Sequence, residues 1–309
     1  MSHEPFLKNP DNFPDTDHTT LWGDETIIID FVGGPYRFTG LSRSQAAALQ
    51  EHFSDCCITS YHGDKPFVDS RIGRIGEEKF SLHGKTGSGV YESMDYVYHK
   101  NSIQVTGIYF AACLNLSGSV TATMWTPLND HPWFPGIVFE NFFRNLVAYR
   151  LLELGGVLLH SAGVVGHGDQ AWLFVGQSGA GKSTIALLCS QQGFPILSDD
   201  MNALLPTGDG VFVEKVPFAG TFRSDSSCGK RYPLGLICRI EKDEKNSIAP
   251  INKGDLLALL IANSPFVNQD PIRLDSLMDN HLSVLNHCHR ALLHFSQDGR
   301  FTELLTSPV

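Results

Sequence analysis

The stretch that most constrains the fold is GQSGAGKST, residues 176–184. It matches the pattern G-x-x-x-x-G-K-[ST], in which a glycine-rich loop holds phosphate groups between a strand and a helix. The flanking sequence fits that context, because an apolar run, 171–175, precedes the loop and a helix-like run, 185–190, follows it. The sequence therefore predicts an α/β unit that carries a phosphate-binding loop.

Each part of this loop has a physical reason. Gly176, Gly179 and Gly181 let backbone N–H groups turn towards phosphate oxygens, and the following helix adds its positive N-terminal end. In this pattern Lys182 reaches the β- and γ-phosphates and the Ser183 hydroxyl contacts Mg²⁺. We predict ATP with Mg²⁺ as the ligand, and GTP or pyrophosphate stays open as the donor. The predicted nucleotide-binding residues are Gly176, Gln177, Ser178, Gly179, Ala180, Gly181, Lys182, Ser183 and Thr184.

An acidic pair, Asp199 and Asp200, ends the next apolar run, 194–197. In a parallel α/β sheet the carboxyl end of that strand is expected beside the phosphate loop, where ligands bind. One carboxylate there can hold Mg²⁺, and the other can take a proton from a hydroxyl. The alternative is a helix cap or a solvated turn. We predict catalytic and metal-binding roles for the pair.

A third candidate is His160, in the run 157–165. We expect this run to be a strand, followed by a tight turn at 166–170 and a strand at 171–175. If the two strands pair, His160 approaches the loop from the side. A lone histidine is more often structural, so the residues by themselves leave its role open.

Charge and composition exclude several classes of protein. The net charge is −10, from 23 basic and 33 acidic residues, and no basic stretch stands out, so we expect no nucleic-acid partner. No run approaches the roughly 18 apolar residues of a membrane span, and no signal peptide is apparent. The seven cysteines form no C-x-x-C pair and are odd in number, which argues against a disulfide framework or structural zinc site. We expect a cytoplasmic protein.

The pattern along the chain predicts three regions. A polar, proline-containing arm, 1–20, is expected to be poorly ordered. A β-rich N-terminal domain covers 21–136 and a domain with the phosphate loop covers 137–309. The second opens with a helix, 137–154, whose wide apolar arc predicts burial on more than one side. We predict an α/β fold (α+β over the whole chain).

The run from 159 to 200, with its histidine, phosphate loop and Asp-Asp pair, resembles the core of the HPr kinase/phosphorylase and ATP-dependent phosphoenolpyruvate carboxykinase superfamily. The run 215–252 also resembles uncharacterised HPr-kinase-like serine kinases. The resemblance covers about residues 137–295 and implies a P-loop kinase core with a mixed sheet flanked by helices.

The resemblance also implies roles for the site residues. Lys182 and Ser183 would contact phosphates and metal. Asp199 would be the base and Asp200 the partner of His160, with both aspartates contacting metal. In carboxykinases the equivalent histidine and second aspartate hold a transition metal, which leaves a second divalent metal at His160 open. HPr kinases form rings, which leaves a homo-oligomer open.

The chain also departs from the family. Residues 1–136 do not resemble the HPr kinase N-terminal domain, and the segment tied to the phosphorylase reaction is not recognisable. The chain is too short for the carboxykinase oxaloacetate site, so decarboxylation is not expected.

A basic loop, 219–233, supplies the remaining candidate cation, Arg223, with Lys230 and Arg231 beside it. Phosphoryl transfer needs positive charge at the γ-phosphate, and Arg223 could provide it, although a solvated loop is the alternative. We expect an enzyme, an ATP-dependent kinase acting on a hydroxyl, with Ser or Thr of a protein or peptide as the acceptor. A small-molecule kinase, a nucleotide-binding regulatory or scaffold protein and a water-using ATPase stay open.

Overall fold

The computed structural model describes residues 6–81, 94–218, 220 and 229–306. It shows a mixed α/β protein with two compact units, Met1–Tyr149 and Arg150–Val309. Each unit contains a mixed sheet with helices. The division falls inside the helix that the sequence assigned to the second domain, and the ranges 21–136 and 137–309 remain predictions for the domains.

The first unit is built on a sheet of eight strands within the described residues. Their spatial order is β3-β1-β2-β4-β8-β7-β6-β5, in which β4 runs parallel to both β2 and β8 and the other pairs are antiparallel. The strands are β1 (Glu25–Ile29), β2 (Tyr36–Leu41), β3 (Cys57–Ile58), β4 (Val68–Arg74), β5 (Asp95–Tyr98), β6 (Ser102–Gly107), β7 (Phe110–Asn115) and β8 (Thr121–Thr126).

Helix α1 (Arg43–His52) begins where the sequence predicted it. The Ser42 side chain accepts the Gln45 N–H, and the Gln45 side chain accepts the Ser42 N–H, so the predicted capping box is confirmed. A π-helical segment, Phe134–Phe139, leads into helix α2 (Glu140–Glu153). The predicted burial of this helix is confirmed, because Phe142 is fully buried along with its neighbours on both sides of the arc.

The N-terminal arm differs from its prediction. Residues 6–20 were expected to be poorly ordered, yet Phe6 and Leu7 are buried and Leu7 forms a β-bridge with Phe80. The ring of Phe13 also packs edge-on against Trp125, with 5.9 Å between ring centroids. A few apolar side chains therefore anchor a segment whose overall composition is polar.

The second unit contains a sheet of nine strands within the described residues. The main order is β12-β10-β11-β15-β14-β13-β9, and β17 pairs with β15 and with β16. The strands are β9 (Val157–His160), β10 (Ala162–Val165), β11 (Ala171–Val175), β12 (Ile196–Ser198), β13 (Met201–Thr207), β14 (Gly210–Lys215), β15 (Arg231–Lys242), β16 (Ser247–Ala249) and β17 (His289–Phe295). The helices are α3 (Lys182–Gln191), α4 (Lys253–Ala262) and α5 (Leu274–Leu285).

The long strand β15 holds this sheet together. Its first residues pair antiparallel with β14, and its later residues pair parallel with β11 on one side and β17 on the other. Helix α3 covers one face of β10 and β11, where Ile185, Ala186 and Cys189 are fully buried in an apolar core. The strand that carries the phosphate loop is thus buried between neighbours on both edges and a helix above.

Two local predictions in this unit can be checked directly. The hairpin around 206–210 is confirmed as β13 and β14. The predicted single strand 157–165 is instead two strands, β9 and β10, which separate at Ser161. Strand β10 pairs with β11 as expected, whereas β9 pairs with β13.

One cysteine departs from the sequence analysis, which argued against a disulfide framework. Cys56 takes part in a disulfide bond, a departure that the odd cysteine count did not indicate. The described free thiols are Cys57, Cys113, Cys189, Cys238 and Cys288.

None of the helices in the described ranges is long and apolar enough to cross a bilayer.

Candidate active site

The phosphate-loop motif lies where the sequence predicted it, between a strand and a helix. Strand β11 ends at Val175 and helix α3 begins at Lys182, with Gly181 as its N-cap at φ 107°. Gly179 also has a positive φ, of 79°. These are conformations that residues with a Cβ rarely adopt, which explains glycine at both positions. The Ser183 side chain is exposed at the start of α3.

Lys182 is buried beneath the loop, with 7% of its surface exposed. Its Nζ donates to the carbonyl oxygens of Gly176 at 3.0 Å and Gln177 at 3.4 Å. Burial lowers the pKa of the Lys182 ammonium, and the negative charge of Asp200 opposes that shift. The loop lysine and the second aspartate therefore interact electrostatically across the site.

The acidic pair occupies the turn between β12 and β13. The Ser198 hydroxyl accepts the N–H groups of Asp200 and Met201, both at 3.1 Å, and so fixes the turn. Asp199 is 5% exposed. Gly220 lies against it, since a Cβ on residue 220 would come 2.7 Å from Asp199 Oδ1.

The acidic pair reaches the loop although its strand does not pair with the strand that carries the loop. Strand β10 lies between β12 and β11. Because β10 is antiparallel to both, β12 and β11 run in the same direction. Their carboxyl ends, with the acidic pair and the phosphate loop, therefore lie at one edge of the sheet.

His160 comes to the site from the end of β9. Its Nδ1 lies 3.1 Å from Asp200 Oδ1. Met201 is its partner across the β9–β13 ladder, and the Ser161 N–H donates to the Asp200 carbonyl at 3.1 Å. The pairing with β11 that the sequence suggested is not the reason for this approach. Strand β9 instead pairs with β13, the strand that directly follows the acidic pair.

A buried asparagine, which the sequence analysis missed, holds this corner together. Asn202 is fully buried, and its Nδ2 donates to the Ser161 carbonyl at 2.8 Å and to the Ser161 hydroxyl at 3.0 Å. The contact fixes the point at which β9 and β10 separate. Nothing in the local sequence pattern indicates it, because the two residues lie 41 positions apart in the chain.

The metal predictions can be compared with the donors present. Mg²⁺ bound with nucleotide needs only one or two protein oxygens, because phosphate and water supply the others. The Ser183 hydroxyl and the carboxylates of Asp199 and Asp200 are hard oxygen donors of that kind.

Among the described residues, no group of three or more His, Cys, Asp or Glu side chains is arranged to hold a metal. A second metal at His160 therefore has no protein cluster of its own in this part of the chain.

The predicted basic loop is only partly described. Arg223 lies outside the described residues. Arg231 forms an ion pair with Glu214, with 3.0 Å between Nε and Oε2. The Lys230 ammonium lies 4.9 Å from the centre of the Tyr232 ring. Both described cations thus have partners away from the phosphate loop.

Comparisons with known proteins give little further information. No protein-family model matches the chain, and no curated protein matches it. Among solved structures, a weak structural neighbour is the HPr(Ser) kinase/phosphatase from Coxiella burnetii, with 18% sequence identity and a TM-score of 0.24. The match covers 32% of this chain and 66% of that one. A likeness this weak carries no argument about activity.

Proposed function

We propose that this chain is an ATP-dependent kinase that transfers the γ-phosphoryl group of Mg-ATP to a hydroxyl, on Ser or Thr of a protein or peptide. The observation that carries the proposal is that the phosphate loop and the acidic pair lie at the same edge of the sheet, where His160 Nδ1 is 3.1 Å from Asp200 Oδ1. A phosphate-binding loop by itself would suit any nucleotide-binding protein. A carboxylate pair beside it suits a reaction that moves a phosphoryl group and a proton.

In this proposal the loop and its lysine bind the nucleotide. Backbone N–H groups of 176–181 and the N-terminal end of α3 take the phosphates, and Lys182 turns from the loop carbonyls to phosphate oxygens. Ser183 and the acidic pair would hold Mg²⁺, which neutralises phosphate charge when bound. Such a site acts by positioning and charge neutralisation.

The acidic pair serves the acceptor. The Asp199 carboxylate takes the proton of the acceptor hydroxyl as the new O–P bond forms, and the bond from the γ-phosphorus to the bridging oxygen of ADP breaks. Asp200 is held by His160 and by the turn at Ser198, so it keeps a fixed position at this edge of the sheet. Asn202 supports that geometry through Ser161.

The test uses γ-labelled ATP and Mg²⁺ with a cell extract separated into protein, peptide and small-molecule fractions. Wild type is compared with Lys182→Ala and Asp199→Asn, and Asp209→Asn, in the exposed β13–β14 turn, is the matched control. Removing a general base should lower transfer by about 10²- to 10⁴-fold while nucleotide still binds. Removing Lys182 should abolish both transfer and tight binding.

The destination of the label decides between the candidates. Label in one protein or peptide band, lost in Asp199→Asn and kept in Asp209→Asn, supports the proposal. Label only in a small molecule or in free phosphate would replace it with a metabolite kinase or an ATPase. Bound ATP without any transfer would favour a regulatory protein and overturn the kinase proposal.

A further inference from the structure

Strand β15 extends past the end of the strand that carries the phosphate loop. Val175, the last residue of β11, pairs with Arg239, and β15 continues to Lys242. The extension lies against the loop, since a Cβ on Gly176 would come 3.1 Å from Ile240 Cγ1. The far end of β15 is therefore part of the wall of the nucleotide site.

Lys242 lies at the tip of this extension and contacts the loop. Its Nζ donates to the Gly179 carbonyl at 3.1 Å, and its Cε lies 3.0 Å from the position that a Cβ on Gly181 would take. The lysine thus passes along the loop close to the start of α3. It contacts loop residues that Lys182, bonded to Gly176 and Gln177, does not.

The backbone of Lys242 is held firmly. It pairs with Phe295 of β17, and the next N–H, of Asp243, donates to the Phe295 carbonyl at 3.0 Å. Phe295 itself is 1% exposed. A cation on a rigid strand loses less conformational freedom on binding a ligand than one on a loop.

Among the described residues, no carboxylate forms an ion pair with the Lys242 ammonium. The two adjacent acids have other partners: Glu241 pairs with Arg239, and Asp243 Oδ1 accepts the N–H groups of Glu244 and Lys245. One of the three ammonium donors is used by Gly179. The others remain for an anion at the loop.

We infer that Lys242 is a second phosphate-binding cation of this site and that it makes the site prefer nucleoside triphosphates. The inference rests on the proposed nucleotide binding at 176–184. Attraction to a fixed cation grows with the charge of the phosphate chain, so the contribution of Lys242 is largest for ATP, smaller for ADP and smallest for AMP. A lysine that only shaped the loop would affect all three alike.

The experiment measures dissociation constants of ATP, ADP and AMP, each with Mg²⁺, by calorimetry. Wild type is compared with Lys242→Met, the charge-keeping Lys242→Arg, and Lys245→Met, which removes an exposed lysine from the same segment. We expect Lys242→Met to weaken ATP about tenfold or more, ADP less, and AMP by under about twofold. Lys242→Arg and Lys245→Met should keep the wild-type preference for ATP.

The outcomes separate this inference from the proposed function. Equal weakening of all three nucleotides, or unchanged affinity for ATP, would overturn the role of Lys242 and leave the kinase proposal standing. A wild-type chain that binds none of them would overturn both. Thermal unfolding of each variant, measured without nucleotide, shows whether a loss of binding reflects a loss of folding.

Discussion

Replacing Gly181 with alanine tests how tightly the phosphate loop is packed. The residue has a φ of 107°, and a Cβ there would come 2.7 Å from Phe295 Cζ and 3.0 Å from Lys242 Cε. The Lys242 side chain is flexible and can move aside. The Phe295 ring is buried and cannot move without disturbing the core.

The expected cost has two parts. The left-handed backbone costs a residue with a Cβ about 1–2 kcal/mol, and forcing the added methyl against a packed core costs about 1–3 kcal/mol more. Gly179→Ala isolates the first part, since Gly179 also has a positive φ but a Cβ there would meet nothing within 4 Å. We therefore expect Gly181→Ala to be less stable than Gly179→Ala by about 1–3 kcal/mol, or roughly 2–12 °C in unfolding temperature.

Differential scanning calorimetry without nucleotide measures this difference. A Gly181→Ala, Phe295→Leu double variant adds a second check, because the smaller side chain should relieve the clash and make the two costs less than additive. Equal unfolding temperatures for Gly179→Ala and Gly181→Ala would refute the reasoning. Full additivity with Phe295→Leu would refute the assigned contact.

Three further predictions concern single residues. Lys182→Met should raise the free energy of unfolding at pH 7 by about 0.5–2 kcal/mol while abolishing ATP binding, since the buried ammonium is costly. Burial lowers the pKa of Lys182, so the free energy of unfolding of the wild type rises as pH increases towards the pKa of this lysine in the unfolded chain. The advantage of Lys182→Met over the wild type should therefore shrink in that pH range, as measured by denaturant titrations. Burial also lowers the pKa of His281 from 6.5 to about 4, so up to ~3 kcal/mol of stability should be lost as pH falls through that window. His281→Leu should remove that part of the loss in denaturant titrations at pH 7 and pH 4.5, and an unchanged pH dependence would contradict the assignment. Asn202→Ala should lower phosphoryl transfer about tenfold with unchanged ATP affinity, measured side by side, because it frees Ser161 and with it His160; equal losses of both would indicate general unfolding.

The features that the sequence predicted correctly depend on neighbouring residues. The capping box at Ser42, the hairpin of β13 and β14 and the strand–loop–helix arrangement around Lys182 are all set within a few positions of one another. In such segments turn chemistry, glycine and apolar spacing act directly on the local backbone. The structure therefore keeps them as predicted.

The features that the sequence did not predict depend on distant pairing. The break at Ser161 and the position of β10 between β11 and β12 follow from which strands meet, and no local pattern encodes that. Lys242 contacts Gly179 only because β15 pairs in parallel with β11. Likewise, the anchoring of Leu7 depends on Phe80, far along the chain.

The place of β15 in the second sheet has a consequence for synthesis of the chain. On the ribosome, β11 can pair with β10 as soon as both have emerged, but its other edge stays open until β15 has been made. An open strand edge with an apolar face is prone to wrong pairing. A nascent chain that stops after β14 would carry GQSGAGKST and both aspartates, yet it would lack the strand that supports the loop. The proposed nucleotide site is thus completed late, after most of the residues that define its motif have left the ribosome.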